Sequence, residues 1–166
     1  MVKPSSVPYI AGMTSETSPL APASAGHFDN DVAIAVRRAV PVLVTASPER
    51  AVAIVRAIAA RAGVAIHDIV TCDIAAGANV LASIAACDPN GSPGRSRVLW
   101  LKDVHLLTPF QQAALANALS DPAGYVRARA RHIVASTDVD LFERIGARTF
   151  DRRLFYCLNT VHIMAD

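Results

Sequence analysis

Arg97-Val98-Leu99-Trp100-Leu101-Lys102-Asp103-Val104-His105-Leu106-Leu107-Thr108-Pro109-Phe110-Gln111-Gln112 contains the sharpest strand signal in the chain and runs straight into a helix start. Val98 to Leu101 is an unbroken apolar run with a charge at each end, short enough for a strand covered on both faces. Thr108 then supplies a capping hydroxyl and Pro109 sits at the first helical position, where its missing N–H costs nothing. Phe110, Ala114, Leu115 and Leu119 are the expected apolar side of that helix. Asp121-Pro122-Ala123-Gly124 stops it.

Working outward, the same alternation repeats on both sides. Towards the N-terminus, Val32 to Val36 suggests a short helix, and Pro41-Val42-Leu43-Val44-Thr45 reads as a first buried strand. Ser47-Pro48-Glu49 gives a cap, a proline and an early acid for a helix that carries Val52, Val55, Ile58 and Ala59 and ends near Gly63. Ile66 to Ile74 is a second strand, Asn79 to Ala86 a short helix, and Asp88 to Gly94 a loop of turn residues. Beyond the central segment, His132 to Ser136 is a fourth strand, Leu141 to Ile145 and Arg152 to Leu158 are helical, and Val161 to Met164 is a fifth strand. Strands separated by helices need crossover connections, so the expected fold is α/β: a three-layer α-β-α sandwich around a mostly parallel five-stranded sheet.

Composition limits what such a fold can be. With 166 residues there is room for one domain, expected over residues 27–166, preceded by a Ser- and Pro-rich flexible tail over residues 1–26. Hydrophobic residues reach 52% but aromatics only 5%, so the core is aliphatic. The mean hydropathy is +0.33. Every long apolar run is nonetheless cut by Arg, Asp or Pro before the ~20 residues a membrane span requires. The net charge of +2 names no polyanionic partner. Cys72, Cys87 and Cys157 match neither a zinc pair nor a disulfide set and read as reduced thiols. With no secretory signal visible, a cytoplasmic location is expected.

The order of the segments resembles the core of an AAA+ ATPase, specifically the central domain of sigma-54-dependent transcriptional activators, over about residues 30–164. Pro41 to Thr45 resembles the strand entering that family's phosphate loop, and Ile69-Val70-Thr71-Cys72 its second strand. Arg97 to Gln112 resembles the Walker B strand with its following helix. Ile133 to Leu141, then Phe150 and Leu154-Phe155-Tyr156-Cys157-Leu158-Asn159, resemble the first sensor and the arginine-finger helix.

What the resemblance implies is a degenerate nucleotide site over Ser47, Glu49, Arg50, Ala51, Lys102, Asp103 and Asp138. A phosphate loop needs glycines, a Lys for the β- and γ-oxygens and a Ser or Thr for magnesium. The matching stretch, Ala46-Ser47-Pro48-Glu49-Arg50-Ala51-Val52, has no glycine and places Ala51 or Val52 at the lysine position. Pro48 removes a donor and Glu49 adds a negative charge, with Arg50 the one replacement cation. Lys102 falls at the metal-binding acid of Walker B and Asp103 at the acid that polarises water; a strand-end ion pair or exposure to solvent is the expected role of these two. Asp138 holds the first-sensor position, and Asp151 and Cys157 the two arginine-finger positions.

Neither a catalytic residue nor a metal ligand is expected, and no cofactor; ATP with magnesium is disfavoured. The loop that would contact the sigma factor, built on Gly-Ala-Phe-Thr-Gly-Ala, has only Ala86 to Arg97 in its place. The lid subdomain and a DNA-binding helix-turn-helix are not in this sequence. Arg127, Arg129 and Arg131 would lie on one side of an extended segment, but without interleaved aromatics nucleic acid is not the expected partner. Taken together, the resemblance implies a non-catalytic AAA+-like domain acting through protein contact, on an AAA+ relative or the transcription machinery, with oligomerisation open. The alternative is a nucleotide binder or weak ATPase using Arg50 and Asp103 unconventionally.

Overall fold

The computed structural model describes residues 24–87 and 97–165. Five strands, β1 (Val42–Ala46), β2 (Ile69–Asp73), β3 (Val98–Lys102), β4 (His132–Thr137) and β5 (Val161–Ala165), form one sheet in the order β2-β3-β4-β1-β5. Every pairing is parallel, with Val98 opposite His132 and Val42 opposite both Val134 and Val161. The central strand β4 is buried at all six positions, as expected where a parallel sheet is covered on both faces.

Alternation along the strands divides the core into two. Val42, Val44, Val98, Val134 and Ile163 face one layer, helices α1 (Ser24–Arg38) and α2 (Pro48–Arg61), meeting Ala51, Val55, Ile58 and Ala59 of α2. Leu43, Leu99, Leu101, Ile133 and Ala135 face the other layer. There they pack on α3 (Val80–Ala86), α4 (Pro109–Ser120) and α7 (Arg152–Leu158), with the short α5 (Tyr125–Arg129) and α6 (Leu141–Gly146) beside them. The caps read from the sequence are in place: Ser47 Oγ accepts from the Arg50 N–H, and Thr108 Oγ1 from the Gln111 N–H. Gly63, at φ +68, takes the left-handed turn that ends α2.

Several expectations change. The helix expected over Val32 to Val36 extends from Ser24 to Arg38, so it begins inside the last three residues of the expected tail; residues 1–23 lie outside the described residues. Among its described side chains only Val32 and Ala35 are buried and Ile34 is exposed, so the helical period of apolar residues is weak in the sequence. The second strand starts only at Ile69, because Ile66–Asp68 form a 3₁₀ turn held by the Asp68 N–H on the Ala65 carbonyl. The loop from Asp88 to Gly94 lies outside the described residues. Arg127 and Arg129 sit on α5, not on an extended edge, and Arg129 stacks its guanidinium 3.9 Å from the Tyr125 ring centre.

Helix α4 departs most informatively. Phe110 is 81% exposed, and the buried stripe is Gln112, Leu115 and Ala116. Gln112 is 3% exposed, and its amide is fully used. Nε2 donates to the Leu107 carbonyl at 2.8 Å and the Thr149 carbonyl at 3.3 Å, while Oε1 accepts from the Asp151 N–H at 2.6 Å. A polar side chain occupies a core position because it pairs three backbone groups, two of which, the Leu107 carbonyl and the Asp151 N–H, are shielded from water.

Candidate functional site

Chain direction places the crevice. From β1 the chain leaves into α2 on one face of the sheet, and from the adjacent β4 into α6 on the other; ligands of open α/β sheets bind where neighbouring strands diverge in this way. A recess lies there, beyond the carboxyl ends of the strands. It is lined by Ala46, Pro48 and Ala51 from β1 and α2, by Trp100, Lys102 and Asp103 from β3, and by Ser136, Thr137 and Asp138 from β4.

Four of the seven expected residues meet there: Ala51, Lys102, Asp103 and Asp138. Ser47, Glu49 and Arg50 do not line the recess and are exposed, Ser47 as the cap of α2 and the other two on its first turn. The cause is local. β1 ends at Ala46 and α2 begins at Pro48, so Ser47 alone joins strand to helix. One residue cannot wrap a phosphate. The helix start is also short of donors: Pro48 has no N–H, the Arg50 N–H is capped by Ser47, and the Ala51 N–H bonds the Ser47 carbonyl.

Lys102 is an ion-pair centre. Its Nζ lies 2.8 Å from Asp73 Oδ2, on the neighbouring strand β2, and 3.7 Å from Asp103 Oδ2. The expected strand-end pair therefore exists, but its shorter contact is to Asp73, which one-dimensional reading missed; the signal was register, since Asp73 and Lys102 are direct partners across β2 and β3. The hydrogen bond from Lys102, aided by the Ala76 N–H, pulls the Asp73 carboxyl below the ordinary carboxylate range, and the same contact raises Lys102. Asp103 stands in the left-handed region at φ +60, a conformation short polar residues tolerate, and turns the chain off the sheet.

The rest of the recess is closed by side chains the sequence reading did not assign to it. Trp100 lies on the same face of β3 as Lys102, and its Nε1–H donates to Ser136 Oγ at 2.9 Å, fixing the indole across β4. His105 Nδ1 lies 3.1 Å from Thr137 Oγ1 and 3.6 Å from Asp138 Oδ1. Both contacts use the same ring nitrogen, so this is no relay of base and orienting acid, which would need opposite nitrogens. Asp151 caps α7 by accepting from the Leu154 N–H, and Cys157 lies 3.4 Å from the Ser120 hydroxyl.

This arrangement does not fit a magnesium nucleotide. The cavity is ≈ 10 Å³, the space of about one water, where small-molecule sites offer roughly 300 Å³ or more. Two carboxylates, Asp103 and Asp138, line it against the one ammonium of Lys102, and that ammonium occupies the position where a metal would need an acid. Among the described residues no group of three His, Cys, Asp or Glu side chains could hold a metal ion, and no helix is long and apolar enough to cross a membrane.

No protein-family model and no curated sequence matches the chain. Solved structures match its fold. NtrX from Brucella abortus in complex with ATP superposes with a TM-score of 0.60 at 20% identity, over 93% of this chain and 38% of that one. A RuvB variant from Thermotoga maritima gives 0.59 at 15% identity, over 85% and 43%. The P-loop NTPase domain of the sigma-54 transport activator from E. coli gives 0.57 at 15% identity, over 82% and 96%. The chain thus spans about two fifths of the NtrX and RuvB chains and nearly all of the isolated E. coli domain. At these identities the likeness is one of fold: a parallel α/β core like that of the P-loop NTPase domain from E. coli.

Proposed function

We propose that this chain is a non-catalytic AAA+-type domain that works by protein contact in transcription regulation, without binding nucleotide. The observation that carries the reading is the one-residue connection at Ser47: the strand and helix of a phosphate site are kept, and the loop between them is not. The Lys102 pairs with Asp73 and Asp103 support it, because they commit the Walker B position to holding the sheet edge together. So does Trp100, whose bond to Ser136 fills the crevice with protein. The likeness to the sigma-54 activator domain suggests where to look for the partner, an intact AAA+ relative or the machinery it acts on.

Mixing the purified chain with an active sigma-54 activator ATPase tests the reading. A changed assembly size in sedimentation, or a changed rate of ATP hydrolysis by the activator, is the expected result; no change in either counts against it. The competing reading, a weak nucleotide binder, draws on the position of the recess at the divergence of β1 and β4. It requires Arg50 to act as the phosphate cation, so nucleotide binding abolished by Arg50→Ala would establish it.

A further inference from the structure

A second recess, sharing no lining residue with the crevice, lies between α6 and α7. It has a volume of ≈ 220 Å³ and is lined by Phe142, Ile145, Gly146, Arg152 and Tyr156. A shallower shelf of ≈ 550 Å³ continues from it past Arg153. Phe142 is 68% exposed and Tyr156 58% exposed. Single exposed aromatics need no explanation, but two that face one recess make a contiguous apolar surface. The wall is built to stay in place: Phe155, buried beneath, meets both Phe142 and Tyr156 edge to face at ring separations of 6.5 and 5.6 Å.

The charge on this surface is one-sided. Among the described residues neither Arg152 nor Arg153 lies within ion-pair distance of a carboxylate. Arg152 reaches only the Tyr156 hydroxyl, at 3.4 Å, with its guanidinium 5.6 Å from that ring, and Arg153 donates to Asn117 Oδ1 at 2.9 Å. Asp151, next in sequence, is committed to capping α7, and Glu143 of α6 lines neither recess. Two guanidinium groups without an acid beside an apolar slot are half of an interface in which the other half brings carboxylates and an apolar anchor.

We propose that the α6–α7 recess is a docking site for an acidic peptide segment of a partner protein, with one aromatic or branched aliphatic side chain seated between Phe142 and Tyr156 and neighbouring carboxylates on Arg152 and Arg153. This deepens the protein-contact reading and rests on it, yet a peptide selection and a nucleotide titration fail separately.

The test is selection from a random-peptide phage library on the full chain, with Arg152→Glu as counter-bait, followed by anisotropy measurements on the resynthesised peptides. Gly146→Leu supplies a filling variant: Gly146 lines the recess, a Cβ there meets nothing within 4 Å and the residue does not need a positive φ, so the change adds bulk at the recess wall without straining the fold. The expected result is enrichment of peptides carrying Asp or Glu around one apolar anchor, bound at least about tenfold more weakly by Gly146→Leu and by Arg152→Glu, and weakened by salt. Enrichment no greater than on the counter-bait, peptides without acids, or binding indifferent to Gly146→Leu would overturn it. Concentration-dependent self-association abolished by Arg152→Glu would overturn it too, by assigning the recess to a second copy.

Discussion

Gln112→Met keeps the length of a buried side chain and removes all of its hydrogen bonds. The lost contacts are those to the Leu107 carbonyl at 2.8 Å, the Thr149 carbonyl at 3.3 Å and the Asp151 N–H at 2.6 Å. Thr149 is exposed and recovers its partner from water. Leu107 is buried and Asp151 half-buried, so two backbone groups are left unpaired, at about 1–3 kcal/mol each before the gain from a more apolar side chain. The net expectation is a loss of about 2–4 kcal/mol, a change of roughly 30- to 1000-fold in the folding equilibrium. Urea unfolding followed by circular dichroism reads it as a lower midpoint at constant slope. In a chain of this size the melting temperature falls by roughly 5–15 °C. Gln112→Leu shares the loss, whereas a Leu115→Met control of similar burial costs less than about 1.5 kcal/mol. A Gln112→Met variant within about 0.5 kcal/mol of the parent would refute the reasoning, since the amide would then be filling space and nothing more.

Other expectations follow from the site and the core. Lys102→Ala leaves Asp73 and Asp103 facing each other across a half-exposed strand end and costs about 0.5–1 kcal/mol at neutral pH. Because Lys102 depresses Asp73, that stability is present above the ordinary carboxylate value and fades as pH falls through the lowered one; the parent and variant unfolding curves should converge in acid. Burial, with Arg131 adding to it, holds the His132 imidazole below its ordinary value of about 6.5. The unfolded chain therefore takes up the proton first, stability falls as pH drops below that value, and His132→Gln should flatten the acid limb of a stability-against-pH curve. Ser136→Ala strands the Trp100 N–H and should cost about 1 kcal/mol, with a shift of Trp100 emission as the direct readout.

The strands and the helix starts were legible because each rests on local chemistry: apolar runs bounded by charge at Val98–Lys102, and hydroxyl-then-proline caps at Ser47 and Thr108. The parallel sheet followed from the helices between the strands, and the superposed solved structures agree with it. What could not be read was whatever depends on neighbours distant in the chain. Gln112 is buried and Phe110 exposed because Thr149 and Asp151 present backbone groups to one and nothing to the other. Asp73 meets Lys102 only through strand register, the two standing 29 positions apart in the sequence. The crevice was half visible. Lys102, Asp103 and Asp138 were picked out at their positions in the resemblance, but the exclusion of Arg50 required the path of the chain around Ser47, and the filling by Trp100 its bond to Ser136 across β3 and β4.

The central claim is that the crevice between β1 and β4 takes no nucleotide, and Trp100, which lines it, is the sole tryptophan and reports on it directly. Titration of the purified chain with ATP and with ADP, each with magnesium, followed by Trp100 fluorescence and by calorimetry, is the most direct test. The account predicts no saturable signal up to millimolar nucleotide in either measurement. Saturable binding in the micromolar range, lost in Arg50→Ala, would contradict it.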